Sequence, residues 1–174
     1  MVINHFYYNM KNKKQHNKDG FTLIELMVVV AIIAFLATLS IPTFSRFFSK
    51  AKRTEAYMNL SSLYAAQKAY HAEHGTYTDV LYGQKGLNWK PEGYNGGGKS
   101  EKFAYTYGFS HGAEGQQFFT GNLEAPSNAL SASNVGKDTF TIAAAADIDG
   151  DGKYDILTVD QNNNIVVIQD DLID

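Results

Sequence analysis

The sequence has no cysteine, so no disulfide can staple the fold, and no thiolate can serve as nucleophile or metal ligand. Proline occurs only at 42, 91 and 126, and glycine, though present fifteen times, is missing between Gly20 and Gly75. Such a stretch excludes tight turns and predicts one long helix over 21–74, ~80 Å if unbroken. Charge is sparse as well: Glu25 is the sole ionisable side chain in 21–41, where the other polar residues are Thr22, Thr38 and Ser40. These 21 residues are long and apolar enough to cross a hydrocarbon core of ~30 Å. A core helix of a soluble protein is the alternative, but such helices rarely stay apolar on every face for so many turns. A formal net charge of −3 gives no support to a nucleic-acid surface.

The charge is unevenly placed. Lys11, Lys13, Lys14 and Lys18 against Asp19 give the first twenty residues +3, leaving −6 for the rest. Lysines before an apolar span and an acidic bulk after it predict a cytoplasmic N-terminus with the domain outside. Residues 1–9 are aromatic and carry no Lys or Arg, unlike a targeting n-region, whereas Met10 opens a lysine-rich run. Translation is therefore expected to begin at Met10, with a short basic leader ending at Gly20. An ordinary secretory signal is the competing reading, and Glu25 inside the apolar run and the lack of an Ala-x-Ala site count against it.

Glu25 is the anomaly, because a carboxylate within a bilayer costs roughly 2.5–3.5 kcal/mol at the centre and less near an end. Cutting the chain after Gly20 would give Phe21 a free α-ammonium at about the same depth. That cation could pair with Glu25 of a copy shifted by one turn, so assembly would require processing. A snorkelling or protonated glutamate with no assembly role is the alternative.

Gly20-Phe21-Thr22-Leu23-Ile24-Glu25 resembles the class III signal of the type IV pilins and pseudopilins, and the similarity continues more weakly to about Tyr77. The resemblance implies cleavage by prepilin peptidase between Gly20 and Phe21, N-methylation of Phe21, docking guided by Glu25, and a helix kink at Pro42. It also implies an α+β pilin fold, a long N-terminal helix packed on an antiparallel sheet. The implied function is a subunit of a bacterial type IV pilus, or fimbrium, serving adhesion, twitching motility or DNA uptake. Its implied partners are further copies in a helical filament, the peptidase and the inner-membrane assembly machinery, and its path runs from inner membrane to extracellular filament. A pseudopilin of a type II secretion system is the runner-up, and a membrane-anchored calcium-binding domain that never polymerises is the third reading. Asp19 departs from the basic or small residue common before the glycine.

The expected organisation is a leader over 1–20, a transmembrane and assembly helix over 21–41, and an amphipathic helix over 42–74. A connecting loop follows over 75–100, then an antiparallel sheet over 101–174. Pro42 removes a backbone donor, so a kink or local melting is expected near 38–41, a helix stop being the alternative. Phe44, Phe47, Phe48 and Ala51 share one face, and Ala56, Leu60, Leu63, Tyr64, Gln67 and Tyr70 form a stripe. The aromatic series Phe44, Phe47, Phe48, Tyr57, Tyr64 and Tyr70 is read as core packing rather than an electron-hopping path. His71 and His74 are read as helix-end residues before a Gly75 cap rather than half a metal site. The run Gly96-Gly97-Gly98 lacks the spacing of a phosphate-binding loop and reads as a flexible loop. Alternation predicts strands over 103–109, 139–143, 156–159 and 165–168, with a short one at Phe118-Phe119 and a hairpin turn over 161–164.

Asp147-Ile148-Asp149-Gly150-Asp151-Gly152-Lys153-Tyr154-Asp155 is the strongest motif of the C-terminal half. Carboxylates two residues apart around glycine turns suit a hard cation. Calcium is expected, held by Asp147, Asp149, Asp151 and Asp155 with the Lys153 backbone carbonyl as fifth ligand. Thr158 stands where an EF-hand has its bidentate glutamate, so a strand-loop-strand site of weaker affinity is expected, an Asx/Gly turn without metal being the alternative. Many pilins close a C-terminal loop with a disulfide, and a cation here would stand in for it. No nucleophile, base and orienting group recur in motif form, so the chain is not read as an enzyme.

Overall fold

The computed structural model describes residues 20–173; the leader, the start at Met10 and Asp174 lie outside them. The chain divides into a unit ending at Ser40 and a second running from Ile41. Helix α1, Leu23–His74, contributes to both. Its backbone is helical through 38–42, so the melting expected there is not seen. Proline at 42 costs the bond to the carbonyl of residue 38, while nearby hydroxyls bond back within the helix, Thr38 to the Phe35 carbonyl at 2.7 Å and Ser40 to that of Leu36 at 2.9 Å.

Among the described residues of the first unit every large apolar side chain is exposed, from Phe21 and Leu23 to Phe35 and Leu39. The helix is long and apolar enough to cross a membrane, and none of its most apolar window is buried.

The second unit is α+β. Strands β1 (Thr106–Gly108), β2 (Phe118–Phe119), β3 (Asn134–Val135), β4 (Phe140–Ala146), β5 (Asp155–Asp160) and β6 (Ile165–Gln169) form one sheet. Its order is β2-β1-β4-β5-β6, with β3 also on β4, and every strand pair is antiparallel. The expected strand over 103–109 is only three residues long. The sequence reading missed β3 and a short 3-10 helix, Ser127–Leu130.

The helix meets the rest of the domain through Ser49, Ala56, Leu60, Leu63 and Gln67, all buried. Their spacing keeps them on one stripe at ~100° per residue. Ala56, Leu60 and Leu63 enter a core with Tyr105, Tyr107 and Phe119, to which alternate residues of β4, Ile142, Ala144 and Ala146, also belong. The intervening Ala143 and Ala145 pack on the other face against Ala129 and Leu130, so β4 is covered on both sides and reads as a continuous apolar run.

Core packing of the helix aromatics is corrected by this geometry. Phe44, Phe47 and Phe48 are 65%, 65% and 56% exposed, and Tyr57 is exposed as well. Phe44 and Phe47 lie roughly opposite the sheet-facing stripe and Phe48 about a quarter turn from it, so the sheet does not cover them. Tyr64 does pack against the core, and Tyr70 stacks on His74 at 4.1 Å. His71 stacks on Tyr77 at 4.3 Å, and Gly75, at φ 70°, donates to the His71 carbonyl at 2.8 Å, capping the helix. The triple glycine is tied rather than free: Gly97 and Asn95 N–H donate to Glu101 Oε1, each at 2.8 Å, and Gly98 N–H to the Thr120 carbonyl at 3.2 Å.

Candidate functional sites

At the N-terminus, Thr22 and Glu25 form a reciprocal cap. The Thr22 N–H and hydroxyl donate to Glu25 Oε2 at 2.8 and 2.7 Å, and the Glu25 N–H donates to Thr22 Oγ1 at 3.3 Å. This is a capping box, a threonine answered three residues on by glutamate. The Thr-x-x-Glu spacing is legible in the sequence, but neither the ion-pair reading of Glu25 nor the snorkelling or protonated alternative includes the cap. Both bonds fall on one carboxylate oxygen, and Oε1 has no hydrogen bond among the described residues. Phe21 and Glu25 line one open apolar groove with Ile24, Val28 and Val29. Phe21 is 75% exposed and lies outside the cap, so a cut after Gly20 would leave the box intact. Pro42 contributes a helical backbone position, and its side chain lies outside the described residues.

The acidic loop joins β4 to β5. Asp147 accepts from the N–H groups of Gly150 at 2.7 Å and Gly152 at 3.0 Å; Asp149 accepts from Asp151 N–H, and Asp151 from Lys153 N–H. Gly150 and Gly152 hold φ near 90°, a conformation that favours glycine. Asp147, Asp149, Asp151 and Asp171 each offer an oxygen within 4.8 Å of the others.

Asp155 is not in that group, contrary to the sequence reading. It is fully buried at the start of β5, where Arg53 Nε donates to its Oδ2 at 3.0 Å and Arg53 Nη2 pairs with its Oδ1. The Tyr105 hydroxyl donates at 2.6 Å and the Asp171 N–H at 3.2 Å. Its oxygens are thus occupied by donors, and the fourth carboxylate comes from Asp171, beyond β6. No local spacing announces a ligand 20 residues downstream. The side chain of Lys153 pairs with Asp151 at 2.9 Å, which together with the Lys153 N–H bond holds the Asp151 carboxyl below its ordinary range. Asp171 goes the other way: burial raises it, and Asp149, Asp151 and Asp147 add to the rise against one N–H bond from Ile148. A buried carboxyl facing three others favours a proton or a cation over an unpaired charge.

Helix α1 grips this region from one side. Arg53 also pairs with Asp170 through Nη1 at 3.2 Å and through Nη2. Burial disfavours the Arg53 charge, but the bonds to Asp170 and Asp155 outweigh it and raise the guanidinium further above its ordinary value. The Ile148 carbonyl accepts from Lys52 Nζ at 3.1 Å and Ser49 Oγ at 3.3 Å. One helical stretch therefore holds the head of the acidic loop, the start of β5 and the turn after β6.

Residues 15–41 match the model of the prokaryotic N-terminal methylation motif. The chain is 53% identical over 60 residues to the type IV major pilin protein PilA of Myxococcus xanthus, 34% of this chain and 27% of that protein. It is 34% identical over 83 residues to the type II secretion system core protein G of Pectobacterium carotovorum, 48% and 53% of the two chains. With the type IV major pilin protein PilE1 of Neisseria gonorrhoeae it shares 35% identity over 62 residues, 36% and 38%. The matches span between about a quarter and a half of these relatives' lengths. The chain carries the prokaryotic N-terminal methylation motif and, over about a third of its length, is similar to type IV major pilins.

Proposed function

We propose that this chain is the structural subunit of a bacterial type IV pilus, cut after Gly20, methylated at Phe21 and assembled through α1 from the inner membrane into an extracellular filament. The carrying observation is a helix whose whole apolar surface is exposed from Phe21 to Leu39 beside one carboxylate with an unused oxygen. Lipid can cover the apolar surface but cannot pair the Glu25 charge, and the α-ammonium of a neighbouring Phe21 is a cation that processing would create. Its activity is polymerisation, with prepilin peptidase and the assembly machinery as partners. N-terminal mass spectrometry of sheared surface filaments tests this: methylated Phe21 in abundant filaments is expected. An uncut leader on a monomeric membrane protein would overturn it and favour the non-polymerising reading.

A pseudopilin role is the second reading, favoured by the longer stretch shared with the core protein G, 83 residues against 60. A processed N-terminus confined to the cell envelope would select it.

We further propose that Asp147, Asp149, Asp151 and Asp171 hold calcium. Four converging carboxylates are a hard-oxygen donor set with charge enough for a divalent cation, and the buried, raised Asp171 needs a positive partner. The ion would tie the turn after β6 to the β4–β5 loop. Isothermal titration of the full chain in detergent is expected to give one calcium site, lost in Asp171→Asn; equal binding by that variant would overturn the assignment.

A further inference from the structure

We propose that α1 carries, just past the apolar span, a site for the phosphate of an anionic phospholipid, built from Arg46 and Lys50 on walls formed by Thr43 and Phe47. These four residues line one open groove of about 420 Å³. Steps of three, one and three place them on a continuous strip of helix surface, and all four are exposed. Two other cations of this stretch are committed elsewhere, Lys52 to the Ile148 carbonyl and Arg53 to Asp155 and Asp170. Arg46 and Lys50 make no ion pair among the described residues.

Depth along the chain selects the ligand. The apolar run ends at Ile41, so at 1.5 Å per residue the groove occupies ~3–14 Å beyond it. The headgroup layer fills roughly the first 5–8 Å outside the hydrocarbon, and a lysine stem can bend its ammonium back towards it. Phe44, Phe47 and Phe48, more than half exposed, give this height apolar surface that can dip into the boundary between headgroups and acyl chains. Guanidinium and ammonium groups are the phosphate-binding side chains. While the subunit stands in the membrane its neighbours here are lipids; a second copy replaces them only on assembly. The site would thus hold the subunit at fixed depth and be emptied as it leaves. The inference rests on 21–41 being a membrane span and not on polymerisation.

Because the chain has no cysteine, Phe44→Cys, exposed at this height but outside the groove's lining, takes a single spin label. The full chain is placed in nanodiscs of mixed phosphatidylglycerol and phosphatidylcholine; label depth is read by power saturation, and lipids retained after transfer to detergent are read by native mass spectrometry. The expected result is a label at headgroup depth and retained phosphatidylglycerol enriched roughly tenfold or more. Arg46→Gln with Lys50→Gln should abolish the enrichment, while the charge-matched Lys85→Gln with Lys137→Gln keeps it. Equal enrichment in both double variants, a label in bulk water, or spin–spin broadening from a second copy without lipid selection would overturn the proposal. A chain that fails to stay in the discs would overturn the span reading and this inference with it.

Discussion

Residues 23–40 and the domain from residue 41 solve opposite problems. In the first, apolar side chains face outward on every side, and side-chain hydrogen bonds are local, as in Thr22 with Glu25 and Ser40 with Leu36. In the second, even a fully buried carboxylate, Asp155, is met by Arg53, Tyr105 and the Asp171 N–H. The domain is complete in one copy, whereas the apolar segment is complete only against lipid or further copies. Phe44, Phe47 and Phe48 belong by location to the domain and by exposure to the segment, so the boundary between the two regimes follows a helix face rather than a residue number.

The comparison is broken most severely at Arg53. Replacing it with Met leaves Asp155 buried and uncompensated, which typically costs ~3–5 kcal/mol, so urea unfolding of the full chain in detergent should lose most of its stability while membrane insertion is unchanged. The proposed calcium site sets the next largest expected effect: at about a hundredfold excess over Kd the ion should stabilise by ~2.7 kcal/mol, raising Tm by roughly 5–10 °C. A chelator should reverse this in the parent chain and do nothing in Asp171→Asn.

Alkaline pH gives a smaller, graded effect. Burial and then the neighbouring carboxylates, Asp155 for Tyr105 and Glu55 for Tyr107, push both phenols up. The unfolded chain releases these protons near pH 10 and the folded one only higher, so the stabilisation is fully present below about pH 10 and declines above it, by up to ~1.4 kcal/mol per pH unit per group. Denaturant midpoints at pH 9, 10 and 11 should fall, less steeply in Tyr105→Phe. Smallest of all is Phe47→Ser: an exposed site predicts a change within ~0.5 kcal/mol, and a larger loss would mean that the domain does use this ring.

Much of this was legible because local rules sufficed. The missing glycines gave α1, alternation gave β4 to β6, and Gly75 gave the helix end. Two errors share one cause, the inability of spacing to name a distant partner. The period of the helix contains both a stripe at Leu60 and Leu63 and another at Phe44, Phe47 and Phe48, and nothing local says which one the sheet will cover. Likewise Asp155 continues the alternation of Asp147, Asp149 and Asp151, but β5 begins there and presents it to Arg53, 102 residues away. Asp171 enters the loop only through the β5–β6 hairpin. The two-residue strand β3 carries too few residues for any period to declare itself, and alternation over 103–109 located β1 but not its bounds.

The most direct test of the central claim separates the two roles of Glu25. Glu25→Gln keeps an acceptor for Thr22 and removes the charge, while Glu25→Ala removes both. If Glu25 serves a neighbour's Phe21 ammonium, both variants should be cleaved and inserted yet yield no surface filaments by electron microscopy. Filaments from Glu25→Gln at the parent level would show that the cap alone suffices and contradict the account.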